Sequence, residues 1–446
     1  MKYIFIASIF GALLILSCDQ VDQIKNELRD LTPHESYFES LGKAGLSNSA
    51  LGVSWAEAAE RAFKEAPAVG LPFEEEGFFS PESPDARSYL VRLKRGQRLF
   101  VEIEIDNDKP TKLFVDIYRM QSNPGRTPLP VLSSDSVQGI MDYVASRSAN
   151  YLVRLQPELL RGGHYRIVLG VDASMVFPVQ DRTTSAILSV FGAERDAGRR
   201  RHHGVDIFAP RGTPVLSATN GQVTEVQNTD IGGKIVWISD PEEKVSVYYA
   251  HLDSQVVLPG TEINRGAVLG FVGNTGNAIT TSPHLHFGIY QNTEGPVDPY
   301  FYLYKPSQDL VSVSAPLEHL GSSVRTINEG IRLRDGPSRR AAVLDEMGEH
   351  TPMRVIAASG SWYRVRLFDG RIGFVASHLI ETLSSPLRSE IVLEASVLLS
   401  NPSDDSPIME SIEAGSGILV LGALGGFLYI QSPRGINGWL AIDHVS

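Results

Sequence analysis

The sequence predicts a mainly β chain of several domains: an N-terminal β-sandwich, a central antiparallel β domain and two small barrels at the C-terminus. Three observations carry this. The chain has 446 residues, more than one hydrophobic core usually organises. Between residues 87 and 171 short runs alternate apolar with polar residues, the period of a half-buried strand. From residue 331 onward the sequence repeats itself at a fixed offset of 65 residues, with glycines and aromatics matched. The net charge of -12 argues against a nucleic-acid binder, which needs a basic stripe, and it disfavours adsorption to anionic surfaces.

Residues 1–17 have the form of an export signal. Lys2 precedes an apolar run from Ile4 to Leu16 that is too short to span a bilayer. The run ends at Ile15-Leu16-Ser17-Cys18, and Cys18 is the single cysteine of the chain. This resembles a bacterial lipobox. The resemblance implies a lipid-modified Cys18 and a cell-envelope lipoprotein, held on the periplasmic face of the inner or outer membrane or at the cell surface.

Residues 18–85 are expected to be a partly helical linker region. Ser54-Trp55-Ala56-Glu57 reads as a capping box opening an Ala-rich helix through Phe63, which stops before Pro67. Glu74-Glu75-Glu76, followed by Pro81 and Pro84, reads as solvated linker. Residues 86–178 form the predicted sandwich, with strands at Tyr89–Leu93, Leu99–Ile105, Leu113–Tyr118, Tyr151–Leu155 and Tyr165–Leu169. Turns at Arg95-Gly96-Gln97 and Arg161-Gly162-Gly163 separate them. The pattern is similar to the prepeptidase C-terminal domains of secreted bacterial proteases, and a packing or spacer role is expected.

The chemistry lies in residues 183–305, where five of the 11 histidines fall between positions 202 and 286. His284-Leu285-His286-Phe287-Gly288-Ile289 reads as a strand with both imidazoles on one face and Leu285 and Phe287 on the other. Val245-Ser246-Val247-Tyr248-Tyr249 is also strand-like, with His251 at its exit, and Val205-Asp206-Ile207-Phe208 begins a third strand. Gly232-Gly233 and Gly273-Asn274-Thr275-Gly276-Asn277 read as loops able to rim a cleft. Such a scaffold can converge three histidines and a carboxylate on one point. Zinc takes imidazole nitrogen and carboxylate oxygen, and a catalytic zinc keeps three protein ligands with one open position. Two histidines and one aspartate meet that count, which leaves two histidines for proton transfer and oxyanion stabilisation. No His-Glu-x-x-His segment is present.

Residues 322–383 and 388–446 are the two predicted barrels. Leu333 aligns with Leu398, Pro337 with Pro402, Val355 with Val420, Trp362 with Phe427, Gly373 with Gly438 and Phe374 with Trp439. The first copy, Ile331-Arg332-Leu333-Arg334-Asp335-Gly336-Pro337-Ser338 through Gly360-Ser361-Trp362-Tyr363, resembles a bacterial SH3-like domain. In the second, Asn401-Pro402-Ser403 departs from that pattern. The resemblance implies binding to wall peptides. Trp362 and Trp439 are expected in the cores.

Residues 185–303 resemble the LytM/lysostaphin-type zinc metallopeptidases. The matching segments, in order, are Phe191-Gly192-Ala193-Glu194-Arg195-Asp196, His202-His203-Gly204-Val205-Asp206, Gly212-Thr213-Pro214-Val215, Tyr248-Tyr249-Ala250-His251-Leu252, Pro283-His284-Leu285-His286-Phe287 and Asp298-Pro299. The resemblance implies a lysostaphin-like domain binding one Zn2+ through His202, Asp206 and His286. It makes His251 and His284 the catalytic pair, and peptidoglycan peptide stems the substrate. His203 occupies the variable position of its motif and reads as a loop side chain. Arg195, Arg199, Arg200 and Arg201 read as a solvated basic loop. Two other activities fit the sequence: a non-catalytic activator of another wall hydrolase, and an envelope protease acting on proteins.

Overall fold

The computed structural model describes residues 30–106, 110–121, 128–135, 139–195, 198–292 and 294–444. The export signal and Cys18 lie outside the described residues, as does Asp196. No helix among the described residues is long and apolar enough to cross a membrane.

Two helices open the described chain. α1 (Pro33–Lys43) begins in a capping box: Thr32 Oγ1 accepts from the Glu35 amide, and the Glu35 carboxylate accepts from the Thr32 amide at 2.9 Å. α2 (Ala50–Lys64) is capped by Ser49, whose Oγ accepts from Gly52 N at 3.1 Å. The capping box expected at Ser54–Glu57 is therefore not used. The helix starts earlier because Ser49 supplies the orphan-amide partner first. Trp55 of α2 is buried, donates Nε1–H to Pro157 O at 2.8 Å and stacks on His34 of α1 at 4.6 Å.

The sandwich has two facing sheets. β1 (Phe73–Phe79), β2 (Arg87–Leu93), β3 (Gln97–Asp106), β4 (Leu113–Arg119), β5 (Pro130–Ser134), β6 (Gly139–Val144), β7 (Ala149–Pro157) and β8 (Gly163–Ala173) build it. One sheet runs β1-β8-β3-β6 and the other β2-β7-β4-β5. Inward positions such as Tyr89, Val91, Leu99, Val101, Val153 and Ile167 fill the space between them.

The expected linker at Glu74–Glu76 is instead strand β1. It pairs with β8 on one side and with Pro352–Ser359 of the first C-terminal repeat on the other. Glu75 is fully buried and accepts from Tyr89 Oη at 2.6 Å and Tyr165 Oη at 2.8 Å, while Glu74 pairs with Arg166. Acidic composition misled the sequence reading because tyrosine hydroxyls and arginines supply the partners that buried carboxylates require.

The central domain is built on one antiparallel sheet. Its strands are β9 (Ile187–Ser189), β10 (Glu194–Arg195), β11 (Arg200–Arg201), β12 (Val205–Phe208), β13 (Pro214–Leu216), β14 (Gly221–Thr229), β15 (Gly233–Asp240), β16 (Val245–Gln255), β17 (Glu262–Ile263), β18 (Val268–Val272), β19 (His284–Gln291) and β20 (Gly295–Val297). The main order is β17-β14-β15-β16-β19-β12-β9, and β10 and β11 form a separate hairpin. Val205, Ile207, Val236, Ile238, Val247, Tyr249, Leu285, Phe287 and Ile289 all face one core. The opposite face of the same strands carries the histidines.

In the C-terminal part the 65-residue offset holds strand for strand. Ser323–Thr326, Ile331–Arg334, Val343–Met347, Pro352–Ser359, Trp362–Leu367 and Ile372–Ala376 correspond to Arg388–Ile391, Ser396–Leu399, Ile408–Ile412, Gly417–Leu424, Phe427–Gln431 and Asn437–Ala441. The strand pairings do not close into a ring. The first repeat stays open and passes its hydrogen bonding on to β1. Trp439 is buried, as expected, with Phe368 of the first repeat 5.3 Å away. Trp362 is not a core residue: it is half-buried on a groove between residues 68–74 and 335–342.

The α1 contact carries a pH dependence. His34 is held neutral chiefly by burial, with Arg154 adding to it, and its pKa is lowered to about 4. The unfolded chain therefore binds a proton that the folded one refuses. The His34 contribution to stability is complete above pH 6.5 and is lost as the pH falls toward 4, by up to about 3 kcal/mol. Urea unfolding at pH 7.5 and 4.5 measures it. His34→Leu is expected to remove that part of the pH dependence, and an unchanged dependence in the variant contradicts it.

Candidate metal centre

Register brings the site together. Asp206 of β12 stands directly opposite His286 of β19, and His286 directly opposite Ala250 of β16. His202 enters from the turn before β12. Between them lies Gly204, where a Cβ would run into the carbonyl of Phe287 and meet the His286 ring at 3.0 Å. Any larger residue would push the His202 turn off β19, so the glycine is what lets both motifs approach.

His202 Nε2 lies 3.1 Å from Asp206 Oδ1, His286 Nδ1 lies 2.9 Å from the same oxygen, and the two nitrogens are 3.0 Å apart. Tetrahedral zinc with bonds near 2.05 Å separates its ligand atoms by about 3.3 Å. The observed triangle needs only a few tenths of an ångström of expansion, so these residues fit a divalent metal. His202, Asp206 and His286 are the one His/Cys/Asp/Glu group of this kind among the described residues.

The surrounding groups fix which ring atoms are presented. His202 Nδ1 is 2.9 Å from Val190 O, and a carbonyl only accepts, so Nδ1 carries the proton and Nε2 presents its lone pair. The same logic applies to the other pair. His251 Nδ1 donates to Thr275 O at 2.9 Å and His284 Nδ1 to Ser282 O at 2.8 Å. Both Nε2 atoms are left as acceptors. The two rings sit 5.1 Å apart, and His251 is 5.9 Å from His286. His284 also stacks on Phe208, its cross-strand partner, at 5.0 Å.

His251 is not at a strand exit. β16 continues through it to Gln255, and the slip in register between Lys234↔Leu252 and Val236↔Tyr249 marks a bulge there. His251 takes a φ of 64° in that bulge, and its N–H donates to Gly232 O at 2.8 Å. The extra residue turns its imidazole toward the cluster, at a backbone cost of order 1–3 kcal/mol for a non-glycine residue.

Burial lowers the pKa of His251 to about 4, with His284 and His286 adding to the effect. Burial also lowers that of His286, though Asp206 opposes it. For Asp206 burial works against ionisation, but the neighbouring His202 and His286 rings prevail and hold it well below the usual carboxylate range. At His286 and Asp206 these directions favour the deprotonated forms that a metal ion requires.

Arg195 is not part of a solvated loop. Its Nη2 donates to Asp206 Oδ2 at 2.7 Å and to Ser189 Oγ at 2.5 Å. Oδ2 is thereby occupied, and Oδ1 is left to face the two nitrogens. Arg201 pairs with Glu194 at 3.3 Å across the β10–β11 hairpin, and His203 is exposed at the cleft wall. The cleft over the cluster has a volume of about 910 Å³. Ile231 and Gly232 rim it on one side and Asn277, Ala278 and Thr281 on another; of the two loops expected to rim a cleft, Gly232 and Asn277 do so.

Residues 200–299 match peptidase family M23, and residues 329–381 match the bacterial SH3 domain. The chain is 36% identical over 138 residues to an L-Ala–D-Glu endopeptidase of Bacillus subtilis, covering 28% of this chain and 42% of that protein. It is 33% identical over 98 residues to a peptidoglycan DD-endopeptidase of Vibrio cholerae, covering 21% of this chain and 22% of that protein. The chain therefore spans less than half the length of these relatives. Among solved structures, the catalytic domain of lysostaphin from Staphylococcus simulans aligns at 29% identity and a TM-score of 0.24, over 26% of this chain and 88% of that one.

Arg195→Gln is expected to weaken divalent-metal affinity by about 10–100-fold, the usual effect of losing an outer-shell partner. Competition against a chromogenic chelator measures it. Wild-type affinity in the variant would show that Oδ1 is oriented by other contacts.

Proposed function

We propose, on the premise that the chain carries a peptidase family M23 domain, that it is a zinc-dependent endopeptidase cutting the peptide cross-links of peptidoglycan. The observation that carries this is the His202–Asp206–His286 triangle in one cleft with two further histidines, each anchored through Nδ1 to a backbone carbonyl. The names of the relatives support a wall-peptide substrate. One metal per chain, held by these three residues, completes the site. Attachment to an envelope membrane through Cys18 is part of the same proposal.

When bound, zinc supplies Lewis acidity toward a carbonyl and toward water. The chain's own residues do the rest. His202 and His286 present lone pairs, and Asp206 balances charge with Arg195 behind it. His251 and His284 offer Nε2 to the attacking water. Whichever ring accepts that proton holds it for transfer to the departing amine, and its Nδ1–H keeps the ring in place throughout. The partner ring, once protonated or hydrogen-bonded, faces the developing oxyanion. The cleft walls limit water and hold the scissile bond over the triangle.

His284→Ala is expected to retain zinc and lose turnover by about 10²–10⁴-fold. Asp206→Ala is expected to lose the zinc itself. Metal content by atomic emission and release of peptides from purified sacculi check both. Equal metal in wild type and Asp206→Ala, or hydrolysis persisting after chelation, contradicts the assignment.

A further inference from the structure

Beside the metal triangle the same sheet face carries a second constellation. Glu225, Trp237 and Tyr248 are successive cross-strand partners on β14, β15 and β16, and Tyr290 follows on β19 two strand steps beyond Gly288, which pairs with Tyr248. Trp237 touches both tyrosines, with ring centroids 4.6 Å from Tyr248 and 5.0 Å from Tyr290. Tyr248 in turn meets the His286 ring edge-on at 5.8 Å. All four side chains are half-buried and line the cleft. No core contact explains them, because the alternate residues of these strands fill the core.

The chemistry of the group is selective. Three aromatic faces are electron-rich surfaces that attract a cation. Glu225 supplies a full negative charge, and among the described residues its carboxylate has no hydrogen bond and no ion pair. The three rings and this carboxylate form one continuous ledge along the cleft wall. A half-buried carboxylate next to aromatic rings, lining the same cleft as the histidines, asks for an ammonium group.

We propose that Glu225, Trp237, Tyr248 and Tyr290 form a subsite for a primary ammonium carried by the substrate peptide close to the scissile bond. This deepens the proposed function and rests on it. The preferred substrates are then peptides bearing a free amine, from a diamino-acid side chain or a peptide N-terminus, over those in which that amine is acylated.

The test uses the full-length His284→Ala chain, so that bound peptide survives, and isothermal titration calorimetry. Three probes share the sequence L-Ala–D-Glu–L-Lys: one with only the ε-amine free, one with only the α-amine free, and one with both acetylated. At least one amine-bearing probe is expected to bind about tenfold or more tightly than the doubly acetylated one, equivalent to about 1.4 kcal/mol. Glu225→Gln and, separately, Trp237→Leu are expected to reduce that ratio below about threefold. The better amine probe identifies the source of the ammonium. Equal affinities for all three probes, or a preference that survives both substitutions, overturns the proposal. Failure of the wild-type chain to hydrolyse sacculi, with the amine preference intact, would defeat the proposed function and not the subsite.

Discussion

Asp206, His286 and Ala250 stand opposite one another on three hydrogen-bonded strands, and the two-residue alternation of those strands decides what faces the cleft. A one-residue slip would send His286 into the core and Phe287 into solvent. The apolar face prevents that, because Ile207, Tyr249, Leu285 and Phe287 are all fully buried against it. Core packing thus holds the register, and the register holds the ligands. Two local features complete the site: the glycine that admits the His202 turn, and the bulge that swings His251 inward.

This division explains what could be read from the sequence. Alternation in His284–Ile289 and Val205–Phe208 was enough to place the imidazoles and the carboxylate on the polar face. The His251 bulge was not legible, since an extra residue leaves no mark in a pattern of apolar side chains. Arg195 was not legible either. It reaches Asp206 from a hairpin whose bonding to the site is spatial rather than periodic. The ledge residues did carry a signal, because Tyr248 and Tyr290 share parity with His286, but aromatic residues in strands ordinarily mean core.

At the level of domains, the C-terminal duplication was readable residue by residue because its constraints are local. Gly373 and Gly438 each leave no room for a side chain, as an added Cβ would lie 2.6 Å from Leu333 and from Leu398. The failure at Glu74–Glu76 has the opposite cause. A strand rich in carboxylates is stable only with partners from distant positions, here Tyr89, Tyr165 and Arg166. Nothing near it in the chain announces them.

The position of β1 has a mechanical consequence. It shares backbone ladders with the sandwich and with the first C-terminal repeat, so those two bodies turn as one. On its other flank the sandwich is seated on the central domain: Gly96 lies flush on the Tyr302 ring, and Arg95 bonds Glu294 at 2.7 Å. The chain therefore behaves as a calliper with its jaws locked. The first C-terminal repeat is thus tied through the sandwich to the domain that carries the histidines, and the spacing between the two is set by the fold rather than by a linker.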